Sequence, residues 1–159
     1  MKELTRCTNT PEQDLLNAIV QQAAEEHRAA FVKLLRKPDD VRAKRLQKEA
    51  ESFFLSEDFE IFTKVAGSYL LRKLREEEEE VAAKLAVFRK ARSGLHAAWT
   101  EYRFSGNTQL LEEACALRKS ILEAKSGIPR YARSLFRLSR EEKRILMDLK
   151  KWERKNGAA

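Results

Sequence analysis

Between Ser68 and Arg103 the apolar residues Leu71, Leu74, Val81, Leu85, Phe88, Leu95, Trp99 and Tyr102 recur on a strict heptad. Glu78 and Arg92 complete the series as polar residues in core slots. The pattern predicts one helix of about 36 residues, roughly 54 Å long, with an apolar seam for other helices to cover. Glu78 interrupts that seam within the acidic run Glu76–Glu80, which reads as a solvated face with an i,i+4 ion pair from Glu80 to Lys84. Arg92 is expected to reach solvent along its aliphatic stem or to meet an acid on a neighbouring helix. Gly94 is a candidate kink.

The remaining segments are shorter and punctuated. Thr10-Pro11-Glu12-Gln13 is a helix start: Thr10 caps, Pro11 is tolerated at the first position and Gln13 completes a capping box. Leu16, Ile19 or Val20, Ala23, His27, Ala30 or Phe31 and Leu34 follow at helical spacing, and Pro38 ends the helix near Lys37. Asp39 or Asp40 caps a second helix with Val41, Leu46, Ala50, Phe53 and Phe54 on its apolar edge. Ser56-Glu57-Asp58 opens a short third one, with Phe59, Phe62 and Val65 behind it. Ser105-Gly106-Asn107-Thr108 ends the long helix, and Thr108 is expected to cap an antiparallel return through Leu110, Leu111, Ala114, Cys115, Leu117 and Ile121. After Ser126-Gly127 and Ile128-Pro129, two short helices are expected, at about 129–137 and 140–155, the last opened by a Ser139/Glu142 capping box.

With five Gly and three Pro in 159 residues, a turn-rich β fold is disfavoured. The expectation is an all-α single domain over 1–159: a bundle of five or six helices around one long central helix at about 68–103, without internal repeat or linker. The N-terminus has no apolar signal-peptide core, and no apolar run approaches the ~18 residues of a membrane span. Cys7 and Cys115 form no framework and read as free thiols, so a cytoplasmic protein is expected.

Charge is distributed unevenly. Residues 125–159 hold eleven Lys and Arg against four acids, so the whole net charge of +7 lies there. Such a segment suits a polyanion, nucleic acid or an acidic protein, held by salt-sensitive attraction. The candidate contacts are Arg130, Arg133, Arg137, Arg140, Lys143, Arg144 and Lys151, with Arg130, Arg133 and Arg137 on one face if their segment is helical. The same charge on a surface helix also serves solubility alone. No base-reading motif is present, so weak sequence specificity is expected.

Catalytic and metal signatures are sparse. His27, His96, Cys7 and Cys115 are far apart in sequence, and HExxH, CxxC, GxxxxGKS, GxGxxG and GxSxG are all missing. Neither a metal, a cofactor nor a small-molecule ligand is expected, and Cys115 reads as a core thiol.

Two resemblances add context. The stretch Phe53–Glu77, with its aromatic pair, Ser56, Phe59, Thr63, Gly67 and LLRKLREE at 70–77, resembles a segment of small helical proteins of bacterial prophages and integrated elements. Those proteins carry an acidic residue before the glycine, where this chain has Ala66. The resemblance implies a mobile-element context and a break at Gly67, without an activity. Arg89 and His96, with six residues between them and Lys90 directly after the Arg, are similar to the Arg-x4-6-His signature of the helical HEPN ribonucleases. That resemblance implies an Arg on the scissile phosphate and a His assisting proton transfer. The leading expectation is a non-enzymatic binding or assembly protein. A structural module that docks a partner or forms a homodimer comes second, and a HEPN-like ribonuclease third.

Overall fold

The computed structural model describes residues 10–63 and 65–156. The fold is all-α: among the described residues there is no strand. Six α-helices follow one another, α1 Pro11–Arg36, α2 Val41–Phe54, α3 Glu57–Thr63, α4 Gly67–Ser105, α5 Thr108–Ala124 and α6 Arg140–Asn156, with a 3-10 helix at Arg130–Phe136. The long helix spans 39 residues and runs unbroken through Gly94. A Cβ on Gly94 would come within 3.2 Å of Leu117 Cδ1, so the missing side chain admits α5 rather than bending α4. Cys7 and its expected free thiol lie outside the described residues.

The caps follow local chemistry. Thr10 Oγ1 accepts from Gln13 N–H and Asp40 from Ala43 N–H. At α5 the cap is Asn107 rather than Thr108: Asn107 Oδ1 accepts from Gln109 N–H at 3.0 Å, and Thr108 is the first helical residue. Asn outranks Thr as a cap, and Gly106, at φ 68°, turns the chain just before it. The segment expected as a helix at 129–137 is 3-10. Its seven residues follow Pro129 at ψ 151°, and the chain leaves it extended at Arg137.

The chain divides into two compact units, Met1–Glu78 and Glu79–Ala159. In the first, α1 packs on α2 and the core gathers Phe54, Phe59, Leu71 and Leu74. Phe53, Phe54 and Phe59 meet edge-to-face with centroids 5.3–5.6 Å apart. Ser56 joins α2 to α3, its hydroxyl donating to Phe53 O and accepting from Phe59 N–H. Thr63 Oγ1 donates to Phe59 O at 2.7 Å. Gly67 is the first residue of α4 and is buried. A Cβ there would overlap the Phe54 carbonyl oxygen and crowd Phe59 Cδ1. The stretch from Phe53 to Gly67 is thus a packed aromatic corner.

The first unit also buries charge. His27 on α1 is 0% exposed, with Nδ1 2.8 Å from Glu78 Oε1 on α4 and Nε2 3.4 Å from Glu51 Oε1 on α2. An ionised carboxylate only accepts, so a carboxylate at each ring nitrogen favours the imidazolium, which donates at both. Burial opposes that charge, but Glu78 and then Glu51 outweigh it, and the His27 pKa is raised. Arg75 reaches the same Glu51 oxygen at 3.2 Å, and Arg28 pairs with Glu77 at 2.9 Å. The acidic run is therefore a solvated face only in part, because Glu78 is buried.

In the second unit Val81, Leu85, Phe88 and Leu95 of the α4 seam are buried. Ala91, Ala98, Ile121, Ala132, Phe136, Ile145 and Leu149 complete this core. Phe136 packs on Phe88 with centroids 5.2 Å apart. Arg118 and Lys119 of α5 pair with Glu153 of α6.

Two outcomes are expected. The raised His27 pKa contributes stability that is full below the unfolded value near 6.5 and is lost as pH rises through the folded value. Chemical denaturation followed by circular dichroism should therefore show the first unit weakening on the alkaline side. His27→Leu should cost about 3–5 kcal/mol by stranding Glu78, and His27→Leu/Glu78→Leu should recover most of it. Separately, Gly67→Ala should lower stability by about 1–3 kcal/mol, the usual range for overpacking, in the same assay.

Candidate anion-binding site

The basic C-terminal segment is shaped by two fixed points. The first is the turn after α5, where Gly127 takes φ 68°, a left-handed geometry that glycine adopts without strain. Lys84 of α4 donates to Ser126 O at 3.3 Å and to Glu80 at 2.7 Å, which holds this turn against the long helix. The second is the start of α6. Glu142 Oε2 accepts from Ser139 N–H at 2.6 Å and Glu142 N–H donates to Ser139 Oγ at 3.1 Å, the capping box legible in the sequence.

The other oxygen of Glu142 faces α4, where it accepts from Arg92 Nε and lies 3.1 Å from His96 Nε2. Arg92 in its core slot thus meets an acid on another helix. Glu142 is 0% exposed. Burial raises its pKa, but the Arg92 guanidinium, the Ser139 bonds and His96 together outweigh it and hold the carboxyl at about 2. A carboxylate this well partnered keeps α6 attached to α4 and orients the residues on either side.

Between these fixed points lies a surface concavity of about 690 Å³. Its cations are Lys125, Arg133, Arg137 and Lys143, and Gly127, Ile128, Phe136 and Leu138 form the rest of its wall. Among the described residues no carboxylate lines it. Arg133 Nε makes a long 3.4 Å bond to Ile128 O, and among the described residues none of the four cations forms an ion pair. Four positive side chains around one depression favour an anion.

The candidate residues named from the sequence separate into groups. Arg133, Arg137 and Lys143 converge on the concavity. Arg130 and Arg140, the first residues of the 3-10 helix and of α6, are exposed and do not line it. The shared face expected for Arg130, Arg133 and Arg137 is altered by the 3-10 geometry. Its three-residue turn aligns Arg130 with Arg133, and Arg137 follows at the extended exit. Arg144 borders a smaller dent of mixed charge with Trp99, Arg103, Glu141 and Asp148. Lys151 Nζ lies 3.9 Å from Asp148. Arg89 is exposed on α4, two helical turns from His96, a rise of about 10.5 Å. His96 is directed to Glu142. Cys115 is a buried free thiol whose pKa burial and Glu153 push up.

Lys125 and the Lys84 tether were not singled out as site residues. The signal available for them was the Ser126-Gly127 turn, which brings the end of α5 next to the basic segment. No group of three or more His, Cys, Asp or Glu among the described residues could hold a metal ion. No described helix is long and apolar enough to cross a membrane. Comparison with protein-family models, curated proteins and solved structures gave no match.

Glu142 supplies a prediction of opposite sign to that of His27. Its depressed pKa contributes stability that is present above the unfolded value near 4.5 and is lost as pH falls toward about 2. The full contribution is on the order of 3 kcal/mol. Glu142→Gln should flatten the acid limb of the stability profile between those values, measured by urea denaturation.

Proposed function

We propose that this chain is a non-enzymatic nucleic-acid-binding protein of a bacterial mobile element, acting in the cytoplasm, whose C-terminal unit grips the phosphate backbone. The observation that carries this reading is the concavity lined by Lys125, Arg133, Arg137 and Lys143, with no carboxylate on its wall among the described residues. Phosphates placed there release counterions, so affinity falls linearly with salt on logarithmic axes. Arg presents a planar fork that matches phosphate oxygens, and Lys adds point charge. The sequence carries no base-reading motif, so the contact is to phosphate and tolerant of sequence. The mobile-element context rests on the Phe53–Glu77 resemblance. An acidic protein would meet the same cations and is the alternative occupant.

A second reading has its own support. Leu15 and Ile19 on α1 are exposed, an apolar face suited to a second copy or a docking partner. Light scattering distinguishes it: a molar mass near twice 18.4 kDa, at low and high salt alike, favours self-assembly as the primary role.

The test of the leading reading is a gel shift with single-stranded DNA and RNA across a salt series. Binding should weaken steeply with salt. Arg133→Gln/Arg137→Gln/Lys143→Gln should lower affinity for every sequence alike and reduce the salt slope by about 2, near 0.7 for each lost phosphate contact on a single strand. Absence of binding at low salt rejects the reading.

A further inference from the structure

We infer that the concavity takes a terminal phosphate, the dianionic phosphomonoester at a strand end, rather than an internal phosphodiester. This rests on the nucleic-acid reading and names the part of the strand that enters. Internal phosphates are spaced along a strand, whereas a strand end presents its charge at one point. Here Lys125 leaves α5, Arg133 and Arg137 belong to the 3-10 helix and its exit, and Lys143 lies in the first turn of α6. All four line one depression.

Its volume of about 690 Å³ falls inside the roughly 300–1,000 Å³ range of pockets that enclose a small ligand, so a nucleotide-sized group fits within it. An internal phosphodiester carries one negative charge. A terminal phosphate carries about −1.5 to −2 at neutral pH and offers three oxygens, a better match to four convergent cations. The wall is also anchored. Gly127 is held by the Lys84–Ser126 bond, Phe136 packs on Phe88, and Lys143 lies next to the buried Glu142. The cations therefore project from a preorganised frame, which lowers the ordering cost of binding.

The experiment compares one labelled oligonucleotide with a 5′-phosphate, a 3′-phosphate or hydroxyl ends, by fluorescence anisotropy on the full chain at fixed salt. One phosphorylated end should bind about tenfold tighter than the hydroxyl-ended strand. Arg137→Gln/Lys143→Gln should abolish that preference, with folding checked by circular dichroism. The charge-matched Lys150→Gln/Arg154→Gln, outside the concavity, should weaken all three strands but keep the ratio.

Equal affinity for all three strands overturns the inference and leaves the nucleic-acid reading standing. No binding of any strand overturns both. A preference that survives Arg137→Gln/Lys143→Gln overturns the location. A mononucleotide or inorganic phosphate that competes as well as the phosphorylated oligonucleotide shows that a free phosphate is the ligand and overturns the strand-end assignment.

Discussion

Charge in an apolar seam is the constraint that orders this structure. The long helix carries two polar residues where its heptad calls for apolar ones, and both are satisfied by side chains from other helices. Glu78 meets His27, and Arg92 meets Glu142. Leaving either buried member alone would cost several kcal/mol, so arrangements that separate the partners are excluded more strongly than the pairs themselves are favoured. Each unit thereby contains one charged contact that selects a register for the helices around it. Apolar packing supplies most of the drive to fold, but it is permissive about sliding and rotation. The charged contacts are not.

The two contacts differ in how water reaches them. His27 is enclosed, and both its carboxylates belong to the same unit. Glu142 is itself enclosed, but its partners Arg92 and His96 are each more than two-fifths exposed. Salt therefore reaches the second contact from the partner side and leaves the first largely unscreened. Their protonation runs in opposite directions, which leaves the intermediate pH range as the one in which both units hold their charged contacts.

Much of the architecture was legible in the sequence because it depends on period and punctuation. The heptad from Leu71 to Tyr102 located α4 to within two residues at each end. Thr10, Ser139 and Glu142 announced their caps through short-range chemistry. What stayed hidden was pairing across distance. Glu78 in a core slot and His27 on an apolar stripe were each visible, but 51 residues separate them, and no local rule joins them. Arg92 was legible as a residue that could seek an acid, while the identity of that acid depended on where α6 came to lie. The candidate site divides in the same way. Residues 125–159 were legible as basic, yet the convergence of Arg133, Arg137 and Lys143, and the exclusion of Arg130 and Arg140, required the 3-10 geometry and the Gly127 turn. Gly94 and Gly67 read as interruptions, and both are places where another segment comes close.

The turn at Gly106 differs from those glycines. A Cβ on its left-handed backbone would meet nothing within 4 Å, Phe104 two residues before it is 89% exposed, and Asn107 caps α5 by accepting from Gln109 N–H. The amide of the Gly106–Asn107 link donates to Ser105 Oγ at 3.2 Å, within the exposed turn itself. The joint is therefore a natural port for an inserted epitope or fluorophore, one that reports on the C-terminal unit without touching the concavity or either charged contact.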